Sequence, residues 1–313
     1  MQRYIDTYLQ SLKNTKQPST LKRYEYDLKH FHLWLQTNKH TIKNPSPTRD
    51  DLQLYYTYLV DNHCYSKNSV RRVLSVLKQY FHYYKKKDYV EMIEDFIYEQ
   101  RRLRSIDQHE ILDEKEIIKL FQTLRSNAGL TDNQKKFRHL FIDRNEMIMT
   151  LMLHYGLSVQ EVVNITVNNI HFSSNKMEVI RRQNIVREVV IKQEDKEKLY
   201  SYFQSIPSPV RPNRYDKHYF FIAFDYQRGT YRWDYETNAP KPLTVVAIQK
   251  MVRTEMRRTG LHSGSSASSL RKTYIIQELL RGRTKQSLQK ELAFKTTQPL
   301  DPYIDFVENR NII

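Results

Sequence analysis

Cysteine and glycine are scarce in this chain of 313 residues: one of the first, Cys64, and six of the second. A lone cysteine excludes a disulfide framework and a cysteine-rich metal centre, and it fits a reducing compartment. Six glycines, with no Gly-rich phosphate loop and no GKS or GKT triplet, leave no motif for ATP or dinucleotide chemistry. No apolar run approaches the ~18 residues that span a bilayer. The opening stretch MQRYIDTYLQSLK is amphipathic and charged, unlike a signal peptide. These absences predict a cytoplasmic protein with no cofactor, no metal and no membrane partner.

Acidic residues are also in short supply, 35 against 51 Lys and Arg, for a formal net charge of +16. Such an excess points to a polyanionic partner. The charge is spread: residues 1–105 hold 19 Lys and Arg and 11 Asp and Glu, a net of +8, and the remainder carries the other +8. Each half therefore has the electrostatics to meet a nucleic acid by itself. The length suggests about two domains at ~150 residues each, and a hydrophobic content of 39% is enough for two cores.

The first hundred residues read as helices. Leu21, Tyr24, Leu28, Phe31 and Leu35 recur at helical spacing after Ser19-Thr20. Thr48 is placed to cap a helix through Leu52, Tyr55, Tyr56 and Leu59. Another starts near Ser66–Ser69 and carries Val70, Val73, Leu74, Leu77 and Phe81; a shorter one follows at about 90–99. The pattern predicts a helical bundle over 1–104. An Arg-rich connector spans 100–112, and a second domain runs over 113–313, opened by Asp113 as helix cap with Glu116 in the capping-box position. Residues 176–191 read as a β-hairpin. The Pro- and Tyr-rich stretch 206–244 has no clear periodicity. Helices return from Val245, clearest at 270–281 and 285–293. The fold class is mainly α with a small antiparallel sheet.

Basic residues cluster near predicted helix starts and in the connector. Lys22 and Arg23 lie off the apolar face of their helix. Lys67, Arg71 and Arg72 surround the start of another, where free N–H groups and the helix dipole favour phosphate. Arg101, Arg102 and Arg104 fill the connector. All eight are candidate DNA contacts through counterion release; the alternative is a solvated polar face. Most of the 23 tyrosines fall at helical spacing among Leu and Phe and are expected in cores.

The second half carries sharper strings. Ser268-Ser269-Leu270-Arg271-Lys272-Thr273 resembles the H-x-L-R-H-T box of the tyrosine recombinases (phage-integrase family), and Gly156-Leu157-Ser158-Val159-Gln160-Glu161 resembles their G-L-R-x-x-E box. Gly282 stands eleven residues after Arg271. Leu292-Ala293-Phe294 follows where the family has L-G-H, and Tyr303 stands nine residues further on. The resemblance runs almost end to end, since the N-terminal bundle is similar to the family's core-binding domain. It implies a two-domain fold and a double-stranded DNA substrate.

The same alignment implies a degenerate centre. Ser158 falls on the family's first catalytic arginine, Ser268 on a histidine and Phe294 on a histidine or tryptophan. Aligning Arg187 with the arginine of the return strand puts Arg182 in the place of the hairpin lysine. Arg271 keeps the phosphate-gripping position and Tyr303 that of the nucleophile. A lost arginine removes a bidentate phosphate clamp. General acid–base help is typically worth ~10²–10⁴-fold and an electrostatic donor ~10²–10³-fold, so the catalytic expectation is none. Arg271, Lys272 and Arg182 join the candidate DNA contacts, with an ion pair to Glu161 or neighbouring acids as the alternative for Arg271 and Arg182. Tyr303, flanked by Pro299 and Pro302, is expected in an extended segment.

The reading that follows is a transcriptional repressor of prophage lysogeny in a bacterial host cytoplasm, associated with the nucleoid. It clamps an operator between its two domains, as a monomer or with weak self-association on DNA, since only ten residues follow Tyr303 for a subunit exchange. The alternatives are an atypical recombinase using Tyr303, with His262, Lys272 or Lys295 as substitutes, and an accessory factor in recombination.

Overall fold

The computed structural model describes residues 2–38, 47–61, 65–102, 106–181 and 184–310. The chain divides into two compact units, Met1–Arg104 and Ser105–Ile313. Both are mainly helical, and the β-structure among the described residues is antiparallel and lies in the second unit.

In the first unit, α1 (Gln2–Leu12), α2 (Pro18–Asn38), α3 (Arg49–Asp61), α4 (Lys67–Tyr83) and α5 (Lys87–Arg102) enclose one core. Positions three and four apart put Leu28, Phe31 and Leu35 on one face of α2 and Val70, Val73, Leu74 and Leu77 on one face of α4, all buried. The tyrosines go where their spacing predicts: Tyr8, Tyr55 and Tyr80 are buried, and burial pushes their hydroxyls well above the usual range. The Tyr56 and Phe96 rings stack at 4.2 Å. Helix starts are capped by side chains: Thr48 Oγ1 accepts from the Asp51 amide and Ser66 Oγ from the Ser69 amide, both at 3.2 Å.

In the second unit, α6 (Glu114–Arg125) opens on a reciprocal capping box between Asp113 and Glu116. After α7 (Asp132–Phe137) comes α8 (Ile142–His154), buried on almost every side through Met147, Ile148, Met149, Leu151, Met152 and Leu153. A short α9 (Val159–Val163) follows. Then β1 (Ile170–His171), β2 (Lys176–Arg181) and β3 (Asn184–Val190) form a three-stranded antiparallel sheet in that order. Its register shifts by one where Val179 faces Arg187 and Ile180 faces Ile185, which marks a bulge in β3. Helix α10 (Gln193–Ser205) packs on α8.

The stretch without periodicity forms two small hairpins, β4 (Phe224–Asp225) with β5 (Thr230–Tyr231) and β6 (Trp233–Asp234) with β7 (Ala239–Pro240). The unit closes with α11 (Val245–Thr259), α12 (Ala267–Leu280), α13 (Lys285–Glu291) and α14 (Asp301–Arg310).

Two expectations are corrected. The segment 100–112 is not all connector. Helix α5 continues to Arg102, and Gln100 is buried with its amide donating to the Tyr56 hydroxyl at 3.0 Å. A 3-10 turn over Gln108–Glu110 follows, capped by Asp107. Tyr303 is helical, not extended: Pro302 is the second residue of α14. A proline in the first turn removes only an N–H that has no helical partner, and its fixed φ suits the helix.

Candidate nucleic-acid interface

Glu161 is the hub of the second unit's cation cluster. It lies near the start of α9 with 1% of its surface exposed. Its Oε2 accepts from Arg271 Nη1 at 2.7 Å, from the Ser158 amide at 2.7 Å and from Ser158 Oγ at 2.9 Å. Its Oε1 accepts from Arg181 Nη2 at 2.5 Å. Burial pushes the Glu161 carboxyl up, but Arg271, the Ser158 amide, Arg187 and Arg181 together hold it below the usual range. One buried negative charge therefore anchors two arginines through hydrogen bonds, with a third, Arg187, close enough to act on it.

The local sequence explains the arrangement. Ser158 is the cap of α9 and Glu161 its third residue, so the capping box that starts the helix also aims the carboxylate inward. Before it, Gly156 has φ +62°, and a Cβ there would sit 2.6 Å from the Tyr274 ring and 2.9 Å from Leu292. Only glycine allows α8 to turn back so close to α12. Arg181 follows Met177 and Val179 on the core-facing side of β2. It also donates to the carbonyls of Ala293 and Leu292 at 2.6 and 3.2 Å. Arg187 donates to the carbonyls of Glu291 and Tyr155 at 2.9 and 3.1 Å, and burial, ahead of the charges around it, lowers its pKa.

Beside this hub is a cavity of about 310 Å³, lined among others by Ser158, Gln249, Arg253, Ser268, Arg271 and Tyr303. Arg271 is mostly enclosed, and its guanidinium lies over the Phe294 ring at 5.4 Å. Ser268 is exposed, its Oγ 2.8 Å from that of Ser266. Tyr303 is half-buried and packs against the small core of Tyr274, Ile275, Leu288, Leu292 and Leu300. Lys272 lines the same cavity, with its ammonium bonded to Glu110 at 2.6 Å.

Ser158, Ser268, Arg271, Lys272 and Tyr303 are thus brought to one cavity, with Phe294 behind Arg271. Arg182 and Arg104 lie outside the described residues, and the side chains of Arg101 and Arg102 are not described. In the first unit, Lys22 and Lys67 are exposed. Arg23 and Arg72 both pair with buried Asp27, the former at 3.7 Å. Arg71 bonds to Asn68. Neither His262, stacked on His109 at 4.3 Å, nor Lys295 lines the cavity.

Two residues escaped the sequence reading. Arg181 was legible in the alternation of β2, where it shares a side with Met177 and Val179. Arg253 follows the buried stripe Ile248, Val252, Met256 of α11 by one position, as Gln249 does, so both border the core-facing side of the helix.

Comparison with known proteins bears on the fold. Residues 5–88 match the phage integrase N-terminal SAM-like domain. Tyrosine recombinase XerC of Staphylococcus saprophyticus is 25% identical over 308 residues, covering 95% of this chain and 91% of that protein. XerC of Pediococcus pentosaceus is 24% identical over 253 residues, covering 80% and 76%. Among solved structures, the Tn1549 transposon integrase in complex with circular intermediate DNA matches with a TM-score of 0.68 at 13% identity, over 96% of this chain and 94% of that one. The lambda integrase dimer bound to a core site matches at 0.62 and 14% identity, over 97% and 94%. The chain thus has the two-domain fold of the tyrosine recombinases along nearly its whole length, and its likeness in sequence supports that family.

Proposed function

We propose that the protein binds double-stranded DNA through both units, does not cut it, and acts as a transcriptional repressor in the control of prophage lysogeny. In this reading it resembles the lysogeny master repressor of SPβ-type Bacillus prophages. One observation carries the proposal: Arg271 and Arg181 sit on buried Glu161 at the edge of a cavity, while the places of one arginine and two proton-handling groups hold Ser158, Ser268 and Phe294. A phosphate grip remains, and the histidine-type groups that the family uses to move protons are not at those places. A phenyl ring under Arg271 orients a cation and transfers no proton. Promoter occupancy then excludes polymerase, and base readout falls to helices in the major groove.

A second reading, an atypical recombinase, is favoured by the place of Tyr303 on the cavity with Arg271 and by the names of the relatives. A suicide DNA substrate separates the two. No covalent protein–DNA adduct is expected; an adduct formed by the intact chain and lost in Tyr303→Phe overturns the repressor reading. Genome-wide occupancy separates repression from an accessory role, with binding concentrated away from promoters counting against repression.

A further inference from the structure

We infer that Arg253 supplies the second cation for the DNA phosphodiester gripped by Arg271, from a different element than the resemblance implies. The inference rests on the DNA-binding reading above. Position 158, where the alignment implies an arginine, holds a serine whose hydroxyl both donates to Glu161 and accepts from the Glu161 amide. That side chain is short and fully engaged. It gives a phosphate in the cavity no charge.

Arg253 meets the need from α11. It lines the same cavity as Arg271, Ser158 and Ser268, and its side chain is exposed at the rim. Among the described residues its guanidinium has no hydrogen bond or ion pair, whereas Arg271 and Arg181 are held by Glu161 and Lys272 by Glu110. Of these four, Arg253 alone keeps all its donors for a ligand. The local charge agrees: Glu161 neutralises one of its two paired arginines, and Lys272 cancels against Glu110. The cavity therefore carries a net positive charge from Arg271 with Arg181 and a further one from Arg253. A phosphodiester bears a single negative charge and two acceptor oxygens, which suits one fixed guanidinium and one that closes from the rim. Gln249, four residues earlier on the same face of α11, adds a neutral amide donor at the same edge.

The test uses the full chain and a 40-base-pair duplex of random sequence at several salt concentrations. Wild-type binding with a steep salt slope supports the underlying reading; no binding ends both. Given binding, Arg253→Ala is expected to weaken affinity roughly tenfold and lower the salt slope by about one phosphate equivalent. Arg253→Lys restores most of the slope, and Lys115→Ala, at an exposed position of α6, leaves it unchanged. Because Arg253 is exposed, its melting temperature should match wild type. Combining Arg253→Ala with Arg271→Lys distinguishes one phosphate from two: losses smaller than the sum of the single variants support a shared phosphodiester. Fully additive losses, or an Arg253→Ala affinity equal to wild type, overturn the inference while leaving DNA binding intact.

Discussion

Both units bury a carboxylate that holds two arginines, and the two clusters differ in what surrounds them. In the first unit Asp27 pairs with Arg23 and Arg72, whose side chains are 50% and 31% exposed. In the second, Glu161 pairs with Arg181 and Arg271, which are 34% and 13% exposed, and also takes the Ser158 amide and hydroxyl. The second cluster borders a cavity. The comparison teaches that a buried acid with arginines is first a way of joining elements, α2 to α4 in one case and α9 to β2 and α12 in the other. Concavity, and a positive charge left over after pairing, are what make the second a candidate binding site.

The sharpest way to break the comparison is to remove each acid. Glu161→Ala should destabilise the protein by about 3–5 kcal/mol, because Arg271 is enclosed and would be left unpaired with the Ser158 donors. Asp27→Ala should cost less, about 1–2 kcal/mol, since Arg23 is half-exposed and can turn to water. Urea denaturation of both variants decides it, and equal losses would erase the distinction. Gly156→Ala is next, at about 2–4 kcal/mol, from a non-glycine residue at positive φ and a Cβ driven into Tyr274.

Acid should expose the same difference. Burial raises the Glu161 and Glu146 carboxyls, but the paired cations win and hold both below their ordinary 4.5. A depressed folded pKa gives stability that is fully present above the unfolded value and drains as pH falls through the lower folded one. Glu255 has the opposite sign: burial outweighs Arg258 and Arg138 and raises its pKa, so protonation relieves it. Stability followed by urea midpoint should therefore fall below about pH 4.5, and replacing Glu161 by Gln should flatten that fall. The smallest effect belongs to function. Arg271→Lys should weaken DNA binding a few-fold at constant salt, since it keeps the charge and loses the guanidinium fork; unchanged affinity would detach the cavity from DNA binding.

Much of this was legible in the chain. The apolar stripes of α2, α3 and α4 have a period that sequence shows directly, and Asp113 with Glu116 announces α6. The hairpin was visible in its β-branched runs. Tyr303 is hard to place from sequence because the two prolines just before it, Pro299 and Pro302, look like breakers, although Pro302 falls in a first turn, where proline fits. The 206–244 stretch was opaque because its hairpins pair only two residues a side and are held by aromatic contacts such as Phe141 with Phe224, 83 positions apart, at 4.6 Å. The place of Arg253 is invisible to motif reasoning, because it comes from which helix borders the cavity. The pairing of Arg72 and Lys272 likewise depends on acids distant in sequence, Asp27 and Glu110.

Ser158 also sets what an arginine at its position would cost. It starts α9 and completes the shell of Glu161, so an arginine placed there would forfeit a helix cap worth ~1 kcal/mol. It would also crowd a carboxylate that already accepts from two guanidinium groups. The serine is part of the local architecture, and an arginine at this position would carry a folding cost to be offset elsewhere.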